Sequence, residues 1–227
     1  MNDARILNDT MTATIRQGII FILIGPTGSG KSTFCARLVS DYGENLRYSV
    51  SATSRPQRVE EVEGKSYHFF SREEFQAKID HGEFFEWEEI HGNFYGTLRS
   101  SLEAGISQGS DLLYQIDIRG ALNFKKAFPN NTVTIFIVPP NFESMQERLV
   151  LRGTTDKDEL KRRFETARRE YETLLSLSQD SGEIDYFLVN NDLDNSFEEI
   201  SSVVISERSK IKRIDRRSIE ELCKIDG

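Results

Sequence analysis

The chain has 227 residues, enough to bury one good hydrophobic core with at most a small mobile subdomain, so stability requires neither disulfides nor a structural metal. Its 37% hydrophobic and 29% charged residues and net charge of −8 describe an acidic globular protein and speak against a nucleic-acid binder, whose surface would be basic. No apolar run approaches the roughly 20 residues of a membrane span, and Cys35 and Cys223 lie far apart, outside any CxxC or Cys/His cluster, as expected of reduced thiols in a cytoplasmic protein.

Residues 1–17 mix Asp3, Arg5, Asp9 and Arg16 without a hydrophobic stretch and read as a loose N-terminal arm, not a targeting peptide. The apolar run at 19–24 predicts a buried strand and residues 32–42 a helix, with GPTGSGKS between them. Residues 49–97 break the strand–helix rhythm. They are rich in polar, aromatic and turn residues, with short strands expected at 65–70 and 84–90 around a helix at 72–81, and they read as an inserted subdomain. Within 84–90, alternation puts Trp87 on the opposite face from Glu86 and predicts a core position for it. Apolar runs at 111–118 and 132–138 predict further strands, each followed by a helical pattern. The charged, helical stretch 148–177 has the composition of a lid. A short strand at 185–189 and a helix at 194–207 close the domain, and the tail 206–227 carries dense charge of both signs, as a solvated helix would. Strands alternating with helices imply an α/β fold with a parallel sheet covered on both faces.

The stretch from Gly25 to Ser32 fits GxxxxGK[ST] in the context that motif needs, after a strand and opening a helix. A loop that wraps phosphate must turn backbone N–H groups inward, through conformations that β-carbons obstruct. Gly25, Pro26, Thr27, Gly28, Ser29, Gly30 and Thr33 would supply that cradle, Lys31 a charge on the β and γ phosphates, and Ser32 a hydroxyl to Mg²⁺ carried by the nucleotide. The chain is therefore expected to bind a nucleoside triphosphate. The loop does not name the acceptor, because GTPases, motors and small-molecule kinases share it.

The blocks SVSATSRPQRVEEVEGKSYHF, FFEWEEIHGNFYGT, QIDIRG, IFIVPP, RLVLRGT and LVNNDLD follow one another over residues 18–205 in an order that closely resembles the guanylate kinases. The resemblance implies a P-loop nucleoside monophosphate kinase fold with core segments 18–48, 98–147 and 178–205, a GMP-binding subdomain at 49–97 and a helical lid at 148–177. It implies ATP and GMP or dGMP as substrates, without nucleic acid or membrane. Arg55 and Arg58 would form a fork on the GMP phosphate, with Tyr67 and Tyr95 as phenolic donors to it. Ser51 and Glu86 would read guanine through O6 and through the N1–H and 2-amino donors, with the Thr97 hydroxyl also facing the base and Asp117 completing the GMP-side set. Arg148, Arg152 and Arg163 fall at lid positions that would close over the γ phosphate beside Lys31, and Asn190 matches a position near the adenine. Arg162, Arg168 and Arg169 are expected to face solvent or to pair with Glu165 and Glu170, and His68, His81 and His91 lack ligand spacing.

Two positions depart from the family pattern. Where the central strand usually ends in two acids flanking a small apolar residue, this chain reads Gln115, Ile116, Asp117, so one negative charge toward the Mg²⁺ water shell is missing. Glu60 stands where a glycine commonly precedes Glu61. Two alternatives belong to other classes. A guanylate-kinase-like interaction module would lack a working phosphate loop, and a kinase of another phosphorylated small molecule would have no need of Ser51 or Glu86.

Overall fold

In a computed structural model the described residues are 16–59, 61–90, 92–151, 157–177 and 182–214, with 216, 219, 220 and 223 beyond them. Glu60, His91 and Arg152 lie outside the described residues. The strands are β1 (Ile20–Ile24), β2 (Leu46–Tyr48), β3 (Ala52–Thr53), β4 (His68–Phe69), β5 (Phe84–Ile90), β6 (Asn93–Leu98), β7 (Asp111–Gln115), β8 (Thr132–Val138) and β9 (Tyr186–Val189). The helices are α1 (Lys31–Tyr42), α2 (Arg72–Asp80), α3 (Arg99–Ser107), α4 (Ile118–Ala127), α5 (Phe142–Leu151), α6 (Lys157–Ser176) and α7 (Leu193–Arg208). No described helix is long and apolar enough to cross a membrane.

The main sheet runs β2-β7-β1-β8-β9, all pairs parallel, with β1 at its centre. That position explains the unbroken apolar sequence of β1, because a central parallel strand is covered on both faces. Phe21 and Leu23 meet Phe34 and Leu38 of α1 and Phe197, Ile200 and Val204 of α7 on one face. Ile20, Ile22 and Ile24 meet Leu102 of α3 and Ala121 and Phe124 of α4 on the other, with Tyr171 and Leu174 of α6 packed against them.

A second sheet, β4-β3-β6-β5, forms within residues 49–98 and has its own small core of Ala52, Phe75, Phe84 and Phe94, in which the Phe75 and Phe84 rings stack at 4.2 Å. α2 is started by a capping box: Ser71 Oγ accepts from the Glu74 N–H, and the Glu74 carboxylate accepts from the Ser71 N–H. β5 is an edge strand with a register shift between Phe84 and Glu86. Trp87 is consequently not a core residue: it is 48% exposed and rests edge-on against Phe94 at 5.6 Å, because the edge of a small sheet leaves that face partly uncovered.

The strand expected at 111–118 stops at Gln115, since Asp117 turns out of it to cap α4, its carboxylate accepting from the Gly120 N–H at 2.7 Å. The strand expected at 65–70 shrinks to His68–Phe69. β2, β3, β6 and α3 add elements that the sequence pattern did not single out.

Arg16 of the expected arm and Glu207, Arg208 and Arg213 of the expected tail are buried in two charge clusters, while residues 1–15 lie outside the described residues. Asp111, fully buried, accepts from Arg16 Nη1 at 2.6 Å, from Arg16 Nη2 at 2.9 Å, from Arg208 Nε at 2.7 Å and from the Ile19 N–H at 2.9 Å. Glu207 accepts from Arg213 Nη2 at 2.6 Å and from the Tyr186 hydroxyl at 2.6 Å. Burial alone would raise the Glu207 carboxyl, but hydrogen bonds from Lys210, Tyr186 and Arg213 outweigh it and bring the pKa to about 2. Arg16, Arg208 and Arg213 are thus part of the folded domain. Asp111→Asn keeps the shape of the hub and removes the buried charge that Arg16 and Arg208 share. Breaking such a pair from one side costs about 3–5 kcal/mol, so urea unfolding at pH 7 should show a loss of that order. A loss below about 1 kcal/mol, the level of an exposed ion pair, would contradict the clasp.

Candidate active site

The sequence from β1 into α1 builds the loop expected of it. Gly25 and Gly30 have φ of 127° and 100°, in the region that favours glycine, and a β-carbon at Gly25 would overlap the Ile137 carbonyl oxygen while one at Gly30 would overlap the Asn190 amide. Neighbouring elements hold the loop from behind. Asn190, at the end of β9 and 2% exposed, donates from Nδ2 to the Ser29 carbonyl at 2.8 Å. Arg148 of α5 donates to the Asn190 carbonyl at 2.9 Å and to the Gly28 carbonyl at 3.4 Å, and Arg163 of α6 donates to Thr27 Oγ1 at 3.3 Å. Lys31 reaches back to the carbonyls of Gly25 and Pro26, the latter at 2.9 Å. Ser32 Oγ donates to Gln115 Oε1 at 3.1 Å, so the departure at position 115 leaves an amide oxygen holding this hydroxyl.

The structure therefore brings Lys31, Ser32, Arg148, Arg163 and Asn190 to one loop. Asn190 is packed behind that loop, its amide directed at the Ser29 carbonyl. Arg152 lies outside the described residues.

Beside Asp117 lies a second polar centre. Glu86 on β5 pairs in register with Thr97 on β6, and Thr97 is buried. Burial raises the Glu86 pKa from 4.5 to about 7, with the Asp117 charge adding to the rise, a hydrogen bond with Thr97 opposing it and Glu88 contributing last. Gly120 in the first turn of α4 leaves space beside both carboxylates: a β-carbon there would lie 3.4 Å from Glu86 Oε2 and 3.2 Å from Asp117 Oδ1.

Farther along the second sheet, Arg55 and Glu61 make a two-pronged pair, Nη1 to Oε2 at 3.1 Å and Nη2 to Oε1 at 2.7 Å, and the Arg58 N–H donates to Glu61 Oε2 at 2.8 Å. The Arg55 guanidinium lies 5.5 Å from the centre of the Tyr67 ring, which meets the Tyr95 ring edge-on at 6.1 Å. Hydrogen bonding to Glu61 raises the Arg55 pKa, with Tyr95 adding to the effect; the same Arg55 bond lowers that of Glu61. Arg55, Tyr67 and Tyr95 form one cluster. Glu61, which orients its arginine, is one of several acids in RPQRVEEVEG and nothing in the sequence marks it out. Ser51 stands one residue before β3, and its carbonyl accepts from the His68 N–H.

The family model described as guanylate kinase matches residues 17–207. The chain belongs to the guanylate kinase family. It is 39% identical to a guanylate kinase of Thermotoga maritima over 197 residues, which cover 87% of this chain and 91% of that one. It is 41% identical to one of Bartonella quintana over 198 residues, covering 87% and 86%. A crystal structure of guanylate kinase from Anaplasma phagocytophilum superposes with a TM-score of 0.66 at 31% identity, covering 93% of this chain and 98% of that one. The fold is accordingly that of the guanylate kinases, an α/β domain with a central parallel sheet flanked by helices.

The shifted Glu86 has a consequence that needs no ligand. Below 4.5 the group is neutral folded and unfolded and adds no penalty; as pH rises from 4.5 through about 7 the unfolded chain ionises first, and stability falls until the folded carboxyl has ionised too. Unfolding midpoints of the ligand-free protein and of Glu86→Gln, compared at pH 5 and pH 8, should diverge, with the variant relatively more stable at pH 8. Parallel pH dependences would contradict the buried placement of Glu86.

Proposed function

We propose that this guanylate kinase family member transfers the γ-phosphoryl group of ATP to GMP and dGMP, giving ADP and GDP or dGDP, in the cytoplasm. The observation that carries this reading is a phosphate loop together with a partly buried Glu86, paired in register with buried Thr97 and within reach of the charge of Asp117, the cap of α4. The loop fits a triphosphate and the carboxylate fits a base with adjacent N–H donors.

In this reading Arg55 and Arg58 hold the GMP phosphate with Tyr67 and Tyr95, and Glu61 keeps the Arg55 fork oriented before the substrate arrives. Ser51, Glu86 and Thr97 read guanine, and Asp117 borders the acceptor. On the donor side Gly25, Pro26, Thr27, Gly28, Ser29, Gly30, Lys31, Ser32 and Thr33 surround the ATP phosphates, and Asn190 fixes the loop beneath them. Lys31 leaves the loop carbonyls for the transferring group, joined by Arg148, Arg152 and Arg163. Residues 148–177 act as the lid and residues 49–97 as the GMP-binding subdomain, closing to exclude water.

The site's polar groups fit a Mg²⁺ ion delivered with ATP: Ser32 Oγ is oriented by Gln115, Asp117 lies nearby, and one buried oxygen of Glu170 has no hydrogen-bond partner. Among the described residues no cluster of three or more His, Cys, Asp or Glu could hold an ion, so the nucleotide phosphates would complete its shell. When bound, the ion neutralises charge between the β and γ phosphates. Phosphoryl transfer needs positioning and positive charge more than covalent chemistry, and both come here from Lys31 and the arginines.

Lys31→Met keeps most of the side-chain stem and removes the charge. Turnover should fall about 100-fold or more, as for loss of one preorganised donor, while GMP affinity by calorimetry stays near wild type. Near-normal turnover would overturn the role of the loop. Glu86→Gln should lose kcat/KM for GMP with ATP affinity unchanged, and unchanged GMP kinetics would overturn the guanine assignment.

A further inference from the structure

Glu170, whose unpaired oxygen was noted above, is a carboxylate to which no motif assigns a role. On α6, Arg163, Ala167, Glu170 and Leu174 recur at helical spacing and share one face. Arg163 reaches Thr27 in the phosphate loop, Ala167 is buried with Met145 and Leu149 of α5, and Leu174 packs on the core that contains β1 and α4. The neighbouring Tyr171 ring lies 6.2 Å from that of Phe136 on β8. Glu170 is therefore held on the inner face of the helix, two turns from the loop contact and within reach of the charge of Asp117, which caps α4. One of its oxygens is buried with no hydrogen-bond partner. A buried carboxylate oxygen left unpaired is costly, and such a group calls for an explanation in terms of a partner that arrives.

Burial raises the Glu170 pKa, Lys31 acts in the opposite direction and Asp117 adds to the rise, so the two named groups at the phosphate site are those whose charges reach it. On the same site Gln115 offers Ser32 an amide oxygen and no charge. The loop mouth thus has a neutral side chain at the end of β7 and a surplus carboxylate arriving from α6.

We propose that Glu170 is a positioning residue for the nucleotide-bound divalent cation, its carboxylate accepting from the cation's water shell and supplying the negative charge that position 115 lacks. A hydrated Mg²⁺ suits this arrangement, because it retains several waters and takes few protein ligands directly. Carboxylates that accept from metal-bound groups without touching the metal fix its position, and their loss typically weakens metal affinity by about 10–100-fold. The placement on α6, in the stretch read as the lid, ties cation retention to the position of that helix: Arg163 and Glu170 move together, so the helix that brings positive charge to the phosphates brings a partner for the cation's waters.

This rests on the reading of the loop as an ATP site, and the experiment keeps the two separable. Mn²⁺ affinity of the full-length enzyme saturated with ADP is read from the electron paramagnetic resonance of free Mn²⁺, beside calorimetric ADP affinity without metal. Wild type that bound no ADP would overturn the nucleotide reading itself. With ADP bound, E170Q should weaken Mn²⁺ binding about tenfold or more, leave metal-free ADP affinity within about twofold, and regain Mn²⁺ affinity in the double variant E170Q/Q115E. Equal Mn²⁺ affinity in E170Q and wild type, or equal losses of metal-free ADP affinity and Mn²⁺ affinity, would overturn the proposal in favour of a purely structural carboxylate. A second readout does not require E170Q to fold: in wild-type protein labelled at the glutamate carboxyl carbons, Mn²⁺·ADP should broaden the Glu170 resonance, identified by its absence from E170D. A resonance left sharp would overturn the proposal as well.

Discussion

The loop between β1 and α1 can take only one course, because the backbone at Gly25 and Gly30 lies against Ile137 and Asn190 with no space for a β-carbon. That close approach requires β8 to stand beside β1 and β9 beside β8, and it fixes the direction in which α1 leaves the sheet. The rest of the donor side depends on it. Arg148 and Asn190 grip backbone carbonyls of the loop, Arg163 grips its Thr27 hydroxyl, and Lys31 is drawn onto the carbonyls of Gly25 and Pro26, so the groups suited to phosphate are already gathered without it. Assembling them in advance lowers the reorganisation required when charge shifts between phosphoryl oxygens.

The two ends of the sheet use charge in opposite ways. At the end where β1 and β7 begin, the Asp111 and Glu207 carboxylates are met by Arg16, Arg208 and Arg213, which ties these residues to the core. At the other end the charge of Asp117 reaches Glu86 and, separately, Glu170, burial works against ionisation of both glutamates, and one Glu170 oxygen is unpaired. A folded protein would gain stability by replacing such groups with apolar ones. In the proposed reading their partners arrive with the substrates.

The parallel sheet was legible because a continuous apolar run such as Ile20–Ile24 fits only a strand covered on both faces, and the phosphate loop because its residue types must fall between a strand and a helix. The two-residue strands β3 and β4 carry too few side chains for any period to register, and they form because β6 pairs with β3 from across the subdomain and β3 in turn with β4. Trp87 was misplaced because alternation says which residues share a face but not whether that face is covered, and β5 turned out to be an edge. The clasp at Asp111 joins positions 95 and 97 residues apart, and no local pattern marks such a pairing. Arg55 stood out through its spacing from Arg58, whereas Glu61, its partner in space, was one acid among several. Glu170 was read with its neighbours as surface charge, since only the course of α6 over the sheet shows which of its acids faces inward.

The base decides the function, and acceptor choice is the most direct test of it. Guanine offers Glu86 the N1–H and 2-amino donors, whereas adenine presents an unprotonated N1 that meets the carboxylate lone pair to lone pair. A site built for polar partners rejects an analogue lacking them by as much as about 10⁴ to 10⁵ in kcat/KM. Measured by ATP-dependent ADP release from the wild-type protein at saturating Mg²⁺, GMP should be used efficiently, IMP less well for want of the 2-amino group, and AMP scarcely at all. Equal kcat/KM for AMP and GMP, or preference for an acceptor without a guanine base, would contradict it.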